Sequence, residues 1–173
     1  VRELQLIYNV DRDESGYLEA IGGKTAALFA TSCRIGALVA GCDRTSVEQL
    51  TQYGYAYGMA FQIVDDILDL VATDEELGKP SGNDLREGVY TLPVIRMIRT
   101  NDPVKELLGA PLSTEERDFA RSLVVNGKEI ATSIETAREY AEEALEAISG
   151  FPTTIGTLGL RSAATNLLSA LDR

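Results

Sequence analysis

Apolar residues recur along this chain at intervals of three and four, the spacing that places side chains on one face of a helix. The two-residue alternation typical of strands does not occur, and there is no internal repeat of about 20 to 50 residues. The sequence therefore predicts an all-α fold. Helices are predicted after Ser15, from about Val47 to Ala72, after Thr91, after Ser113, and through 130–148 and 155–171.

Polar residues at the predicted helix starts suggest how each helix begins. Ser15 and Ser46 are predicted N-caps, and Thr91 precedes a proline that the first helical turn tolerates. Ser113 and Glu116 form the pattern of a capping box, in which each side chain binds the other residue's backbone N–H.

The helix predicted from about Val47 to Ala72 carries an acidic stripe. Gln62, Asp65, Asp66 and Asp69 stand at relative positions 0, 3, 4 and 7, so their side chains share one narrow arc. Nearly every other direction is apolar, and a helix that is apolar on most sides is buried. We therefore expect the stripe to face an interior cavity or cleft.

Neighbouring carboxylates in a cleft require a counterion. Like charges four residues apart cost about 0.2 to 0.5 kcal/mol on a wet helix surface, whereas charges about 4 Å apart in a cleft repel by about 4 kcal/mol. A hard divalent cation with oxygen ligands, Mg²⁺ above all, would neutralise them. A bare acidic run can equally be a solvated turn, but the apolar neighbours here favour a metal site.

Composition excludes several other functions. The 173-residue chain is 45% hydrophobic and has a formal net charge of -11 without a basic run, which argues against nucleic acid and anionic membranes as partners. It has no histidine, which removes imidazole catalysis and imidazole metal sites but leaves oxygen-ligand chemistry open. Cys33 and Cys42 are poorly placed for a local disulfide, so we expect reduced cysteines and a cytoplasmic protein.

No transmembrane segment or signal peptide is expected. Arg34 interrupts the small-residue segment between Thr25 and Gly41, and no stretch of 18 apolar residues exists. The chain starts at Val1 in the middle of a helical pattern, so we expect a fragment or a processed chain.

Two further segments carry cations. Lys24 heads a helix of small residues that is predicted to be mostly buried; such a lysine often reaches solvent, but the acidic stripe favours a role in binding a phosphate group. The segment Thr73–Tyr90, rich in Gly and Pro, is predicted to be a long loop. Because Lys79 and Arg86 follow the acidic helix directly, we interpret this loop as a lid over an anion.

Together these residues resemble the C-terminal part of a trans-isoprenyl diphosphate synthase, a member of the polyprenyl synthetase family. The resemblance lies between Tyr17 and Pro93 and is closest to medium- and long-chain members. The motifs are Lys24-Thr25, Gly58-x-x-Phe61-Gln62-x-x-Asp65-Asp66-x-x-Asp69, Gly78-Lys79-x-x-Gly82-x-Asp84-Leu85 and Thr91-Leu92-Pro93.

The resemblance implies an isoprenoid synthase-type helical bundle around a central cavity, usually a homodimer. It implies a prenyltransferase that condenses an allylic diphosphate with isopentenyl diphosphate, extends a trans-polyprenyl diphosphate and releases pyrophosphate. Three Mg²⁺ ions would hold the allylic diphosphate. The implied metal ligands are Asp65, Asp66 and Asp69, with Asp65 the principal one and the other two acting largely through ordered water.

The same resemblance implies substrate contacts. Lys24 and Lys79 would grip the allylic diphosphate, Thr25 and Gln62 would stabilise the allylic carbocation, and Phe61 would form a wall near the homoallylic substrate. Lys24, Thr25 and Gln62 are thus the implied catalytic residues.

Two departures from the family pattern stand out. The first aspartate-rich motif and the arginines for isopentenyl diphosphate do not occur, so we expect residues 1–173 to be the C-terminal part of a single domain, incomplete and inactive alone. Val89 stands where many relatives have a lysine or arginine. A non-catalytic partner subunit and a class I terpene cyclase are the alternatives, although a scaffold needs no buried carboxylates and a cyclase usually has an Asn/Ser/Glu triad here.

Overall fold

The structure, a computed structural model, describes residues 7–73 and 81–171 and contains no strand within these ranges. The prediction of an all-α fold is confirmed. In chain order the elements are α1 (Glu14–Ile21), a π-helical turn (Gly22–Ala26), α2 (Ala27–Val39), α3 (Arg44–Val71), α4 (Asn83–Arg86), α5 (Leu92–Thr100), α6 (Asp102–Leu107), α7 (Thr114–Val125), α8 (Glu129–Ala147) and α9 (Ile155–Ser169).

Aspartates cap α1 and α3, where the sequence predicted the serines Ser15 and Ser46. Asp13 Oδ1 accepts the N–H of Gly16 at 2.8 Å, and Asp43 Oδ1 accepts the N–H of Ser46 at 3.0 Å. A carboxylate at this position also interacts favourably with the positive end of the helix dipole. The backbone hydrogen bonds hold the pKa of both carboxyls below the usual value.

Two short helices lie between the predicted ones, and one of them falls in the predicted loop. α4 occupies part of Thr73–Tyr90 and α6 lies within 101–111, and both are too short for apolar periodicity to reveal. Asn101 caps α6 by accepting the N–H of Val104 at 3.2 Å. α5 follows its predicted N-cap, and α7 opens with the predicted capping box.

A π-helical turn, which the sequence did not predict, joins α1 to α2. The N–H of Ala27 donates to the carbonyl of Gly22, five residues earlier instead of the usual four. Gly22 is buried, and a Cβ atom there would lie 2.6 Å from the hydroxyl of Tyr55. The wider turn changes the direction of Lys24 and Thr25 relative to an uninterrupted α-helix.

The contacts divide the chain into two compact units. The first comprises Val1–Leu18 and Asp65–Ser133, and the second comprises Glu19–Val64 and Ile134–Arg173. The largest buried apolar side chains of the first unit are Tyr17, Ile67, Leu70, Leu85, Tyr90, Leu92, Ile95 and Leu108. A buried cluster in the second unit consists of Tyr53, Ala56, Ala144, Ala147, Ile148 and Ala164.

Close packing against α3 in the second unit depends on glycine. A Cβ atom on Gly58 would lie 2.7 Å from Cα of Ala26, well inside the normal contact distance of two carbon atoms.

The prediction that the small-residue helix is mostly buried is wrong over α2. Leu28, Leu38 and Val39 of α2 are 67%, 56% and 84% exposed.

Candidate functional site

The three aspartates of the acidic stripe belong to the first unit and differ in exposure. Asp65 is exposed, whereas Asp66 and Asp69 are only 5% and 3% exposed. All three project from the C-terminal part of α3. The stripe therefore presents one accessible carboxylate, with two buried carboxylates beside it along the same helix.

Asp66 is held by a tyrosine from α1. The hydroxyl of Tyr17 donates a hydrogen bond of 2.7 Å to Asp66 Oδ2, and Tyr17 itself is 1% exposed. Burial, with the charge of Asp66 as the next cause, raises the pKa of Tyr17 well above its usual value. The tyrosine therefore remains a neutral hydrogen-bond donor to the carboxylate throughout the physiological pH range.

Asp69 connects the end of α3 to the segment that contains α4. Its Oδ2 accepts the N–H of Asp84 at 3.1 Å, and its backbone carbonyl accepts the N–H of Gly82 at 2.7 Å. Gly82 has a φ of 67°, a left-handed conformation that glycine adopts without steric cost. Asp69 thus fixes the start of α4 through both its side chain and its main chain.

Arg121 from α7 completes the C-terminal end of α3. Its Nε donates to the carbonyl of Leu70 at 2.7 Å, and its Nη2 donates to the carbonyl of Ala72 at 3.1 Å. Terminal carbonyls of a helix have no partner within the helix, so a cationic donor is favourable there. The end of the helix that carries Asp69 is therefore held in place by tertiary contacts.

The second unit contains the other described residues of the predicted site. The hydroxyl of Thr25 donates to Gln62 Oε1 at 2.7 Å, so the structure brings these two predicted residues together. Phe61 is 39% exposed, and its ring lies 5.4 Å from that of Phe29 and 6.3 Å from that of Tyr57. Lys24, on the π-helical turn, is exposed.

Sequence reasoning missed Tyr17 and could not test Lys79. The sequence analysis gave Tyr17 no role, and the signal that could have identified it is a tyrosine hydroxyl within a helix. Lys79 and much of the predicted lid lie outside the described residues. Arg86, the other predicted cation of that loop, is on α4 and 50% of its side chain is exposed.

The carboxylate oxygens of Asp65, Asp66 and Asp69 are donors of the type that Mg²⁺ prefers. Among the residues that the structure describes, no group of three or more acidic, histidine or cysteine side chains is arranged as a closed metal site. Mg²⁺ characteristically binds through one or two carboxylates together with waters and phosphate oxygens, and does not require such a cage. An exposed carboxylate beside a buried, hydrogen-bonded one is compatible with that mode of binding.

In the described ranges, 7–73 and 81–171, no helix combines the length and apolar character needed to cross a membrane.

Comparison with known proteins gives consistent results at three levels. The polyprenyl synthetase family model matches residues 2–124. A probable mitochondrial hexaprenyl pyrophosphate synthase from Neurospora crassa is 37% identical, over 96% of this chain and 39% of its own length. Heptaprenyl diphosphate synthase component 2 from Geobacillus stearothermophilus is 36% identical, over 88% of this chain and 48% of its own. The chain thus spans less than half the length of these curated relatives.

Solved structures show the same fold. The heptaprenyl diphosphate synthase of Staphylococcus aureus superposes with a TM-score of 0.92 at 30% identity, covering 97% of this chain and 54% of that one. A polyprenyl synthase from Caulobacter crescentus CB15, solved in complex with calcium and isoprenyl diphosphate, superposes with a TM-score of 0.89 at 32% identity. That match covers 96% of this chain and 53% of the other.

Proposed function

This chain belongs to the polyprenyl synthetase family, and on that premise we propose that the protein containing it is a Mg²⁺-dependent prenyltransferase. Its reaction condenses an allylic diphosphate with isopentenyl diphosphate, extending a trans-polyprenyl diphosphate and releasing pyrophosphate. The observation that carries the proposal is the acidic stripe of α3, in which exposed Asp65 lies beside buried Asp66 and Asp69.

The stripe binds the metal ions in this proposal. Asp65 is the direct ligand, Asp66 and Asp69 support it, and the complete site holds three Mg²⁺ ions. Bound Mg²⁺ neutralises charge on the diphosphate leaving group. Asp69 also binds the backbone N–H groups of Gly82 and Asp84, so the start of α4 is fixed to the end of the helix that carries the stripe.

In this proposal the substrates are bound by Lys24, Lys79, Thr25, Gln62 and Phe61. The ammonium groups of Lys24 and Lys79 bind the allylic diphosphate and favour departure of pyrophosphate with the electron pair of the broken C–O bond. Thr25 and Gln62 direct oxygen atoms at the positive charge that develops on the allylic carbon. Phe61 forms an apolar wall next to isopentenyl diphosphate.

The transfer step then proceeds without a histidine. The double bond of isopentenyl diphosphate attacks the allylic carbocation to form the new C–C bond, and a proton is lost from the resulting cation. The released pyrophosphate is the base that accepts this proton, so only bound phosphate oxygens are required. The residues of this chain hold the reactants and exclude water, which would otherwise capture the cation.

Replacing Asp65 with alanine tests this proposal. In the intact protein that contains this sequence, Asp65→Ala should lower transfer of prenyl groups to radiolabelled isopentenyl diphosphate by at least about a hundredfold, since a metal-bound leaving group contributes several kcal/mol. Glu48→Ala is the matched control, because Glu48 is an exposed acid of α3 that pairs with Arg44 away from the stripe. Retained turnover in Asp65→Ala, or equal loss in Glu48→Ala, would contradict the assignment.

We further propose that the protein acts as a homodimer with allylic prenyl diphosphate and isopentenyl diphosphate as its substrates. One relative is named component 2 of a heptaprenyl diphosphate synthase, which favours assembly with a different subunit as the alternative. Light scattering of the purified protein, together with a prenyl transfer assay, distinguishes a homodimer from assembly with a different subunit. A stable homodimer with full activity supports the first, and activity that appears only after a second component is added supports the other.

A further inference from the structure

Tyr17 makes a contact with the acidic stripe that the proposed reaction does not use directly. Its hydroxyl donates to Asp66 Oδ2 over 2.7 Å, and the two residues lie 49 positions apart in the chain. Both are almost fully buried, at 1% and 5% exposure. A buried carboxylate is costly unless hydrogen-bond donors compensate for the water it has lost, so this donor contributes to keeping Asp66 in its position.

Neighbouring contacts restrict the movement of the tyrosine ring. The guanidinium of Arg12 lies 5.4 Å from the ring centre, and its Nη1 donates to the carbonyl of Tyr90 at 3.2 Å. At the start of α1, Glu14 binds Arg96 at 2.9 Å, with both side chains partly buried. Because Glu14 holds the start of α1 and Arg12, just before the helix, lies against the ring of Tyr17, the hydroxyl of Tyr17 is a fixed point against which Asp66 is oriented.

We propose that Tyr17 is a positioning residue for the metal site. Its hydroxyl donates to one oxygen of Asp66 and so fixes the plane of that carboxylate beside Asp65. Removing a residue that hydrogen-bonds to a metal-binding side chain and orients it typically lowers metal affinity by about 10- to 100-fold. The inference rests on the proposed function, since it assigns Tyr17 to the metal site of the same reaction.

The first test measures metal binding without turnover. In the intact protein, Mn²⁺ is titrated in the presence of inorganic pyrophosphate, and free Mn²⁺ is followed by electron paramagnetic resonance. Tyr17→Phe should raise the Mn²⁺ dissociation constant by about tenfold or more. Unchanged Mn²⁺ affinity in Tyr17→Phe overturns the inference, and so does a wild-type protein that binds no Mn²⁺ under these conditions.

Tyr53→Phe is the matched control for loss of a buried hydroxyl. Tyr53 is 2% exposed and donates to the backbone carbonyl of Leu160 at 2.8 Å, so this change removes a hydrogen bond of similar length that does not involve a carboxylate. It should lower thermal stability about as Tyr17→Phe does, while leaving Mn²⁺ affinity unchanged. If both variants weaken Mn²⁺ binding equally, the role of Tyr17 is structural only and the inference is wrong.

A double-mutant cycle shows whether Tyr17 acts through Asp66. In an Asp66→Ala background, Tyr17→Phe should have no further effect on Mn²⁺ affinity, because the carboxylate that it orients is gone. An undiminished effect in that background overturns the inference.

The assays also separate this inference from the proposed function. A protein that lacks prenyl transfer but shows the Mn²⁺ shift refutes the proposed reaction and retains the positioning role. A protein that transfers prenyl groups with Tyr17→Phe at wild-type Mn²⁺ affinity refutes the positioning role alone.

Discussion

Gly58 permits the close packing against α3 on which the Thr25–Gln62 contact depends. An added Cβ atom would lie 2.7 Å from Cα of Ala26, and 3.0 Å and 3.2 Å from Cδ2 and Cβ of Phe29. The phenyl ring can turn away, but the Cα atom of Ala26 belongs to the backbone. Gly58→Ala therefore requires the two segments to separate by several tenths of an ångström.

The expected loss of stability follows from two opposing effects. Overpacking of a tightly packed interface typically costs about 1 to 3 kcal/mol, and replacing glycine by alanine inside a helix returns up to about 1 kcal/mol. A clash with backbone belongs at the upper end of that range, so we expect a net loss of about 1 to 2 kcal/mol. For a protein of this size, the melting temperature should fall by about 2 to 8 °C.

Gly36→Ala is the matched control, and it should change stability in the opposite direction. Gly36 lies within α2, and nothing lies within 4 Å of the Cβ atom that alanine would add. This variant should gain up to about 1 kcal/mol from helix propensity alone. Urea unfolding followed by circular dichroism measures both variants. Stability of Gly58→Ala at or above wild type, or an equal loss in Gly36→Ala, would refute the packing argument.

Three further predictions follow from individual contacts. Thr25→Val removes the donor to Gln62 and should lower kcat about 2- to 10-fold in steady-state kinetics without changing Mn²⁺ affinity; unchanged kcat would count against this contact. Asp69→Ala should speed hydrogen exchange at the N–H of Asp84, measured by mass spectrometry, whereas Asp69→Asn keeps an acceptor oxygen and should change it less; equal rates would count against the anchoring role. Burial raises the pKa of Tyr90 from 10.0 to about 12, so between these pH values the native state retains a proton that the unfolded chain loses. The urea concentration at the unfolding midpoint should therefore decrease as the pH rises from 10 to 12, and Tyr90→Phe should make this decrease smaller.

Periodicity predicted the helices because their apolar faces repeat over many residues. Most of α3 and the shared arc of Gln62 and Asp65 follow from spacing, although the helix begins three residues before the predicted Val47. Comparison with relatives confirms the family that the motifs indicated. The cap residues were wrong because aspartate and serine both cap helices, and Asp13 and Ser15 lie too close in the chain for pattern to separate them.

Features that depend on distant packing could not be predicted from the sequence. The π-helical turn begins at buried Gly22, where the hydroxyl of Tyr55 leaves no space for a side chain. The residues next to Gly22 in the sequence give no sign of this contact with Tyr55. The bond from Tyr17 to Asp66 likewise joins residues from separate helices. The spacing placed the carboxylates on one arc, whereas the tyrosine bonded to one of them became visible only in the folded protein.

The contact of Arg121 with the end of α3 also bears on how the protein is synthesised. Arg121 binds the carbonyls of Leu70 and Ala72 from 51 and 49 positions further along the chain. At about 5 to 20 residues per second, a ribosome needs roughly 3 to 10 s to add that stretch. During this interval the last carbonyls of α3 lack the donors that Arg121 supplies in the folded protein, so this end of the helix is completed only after α7 has been synthesised.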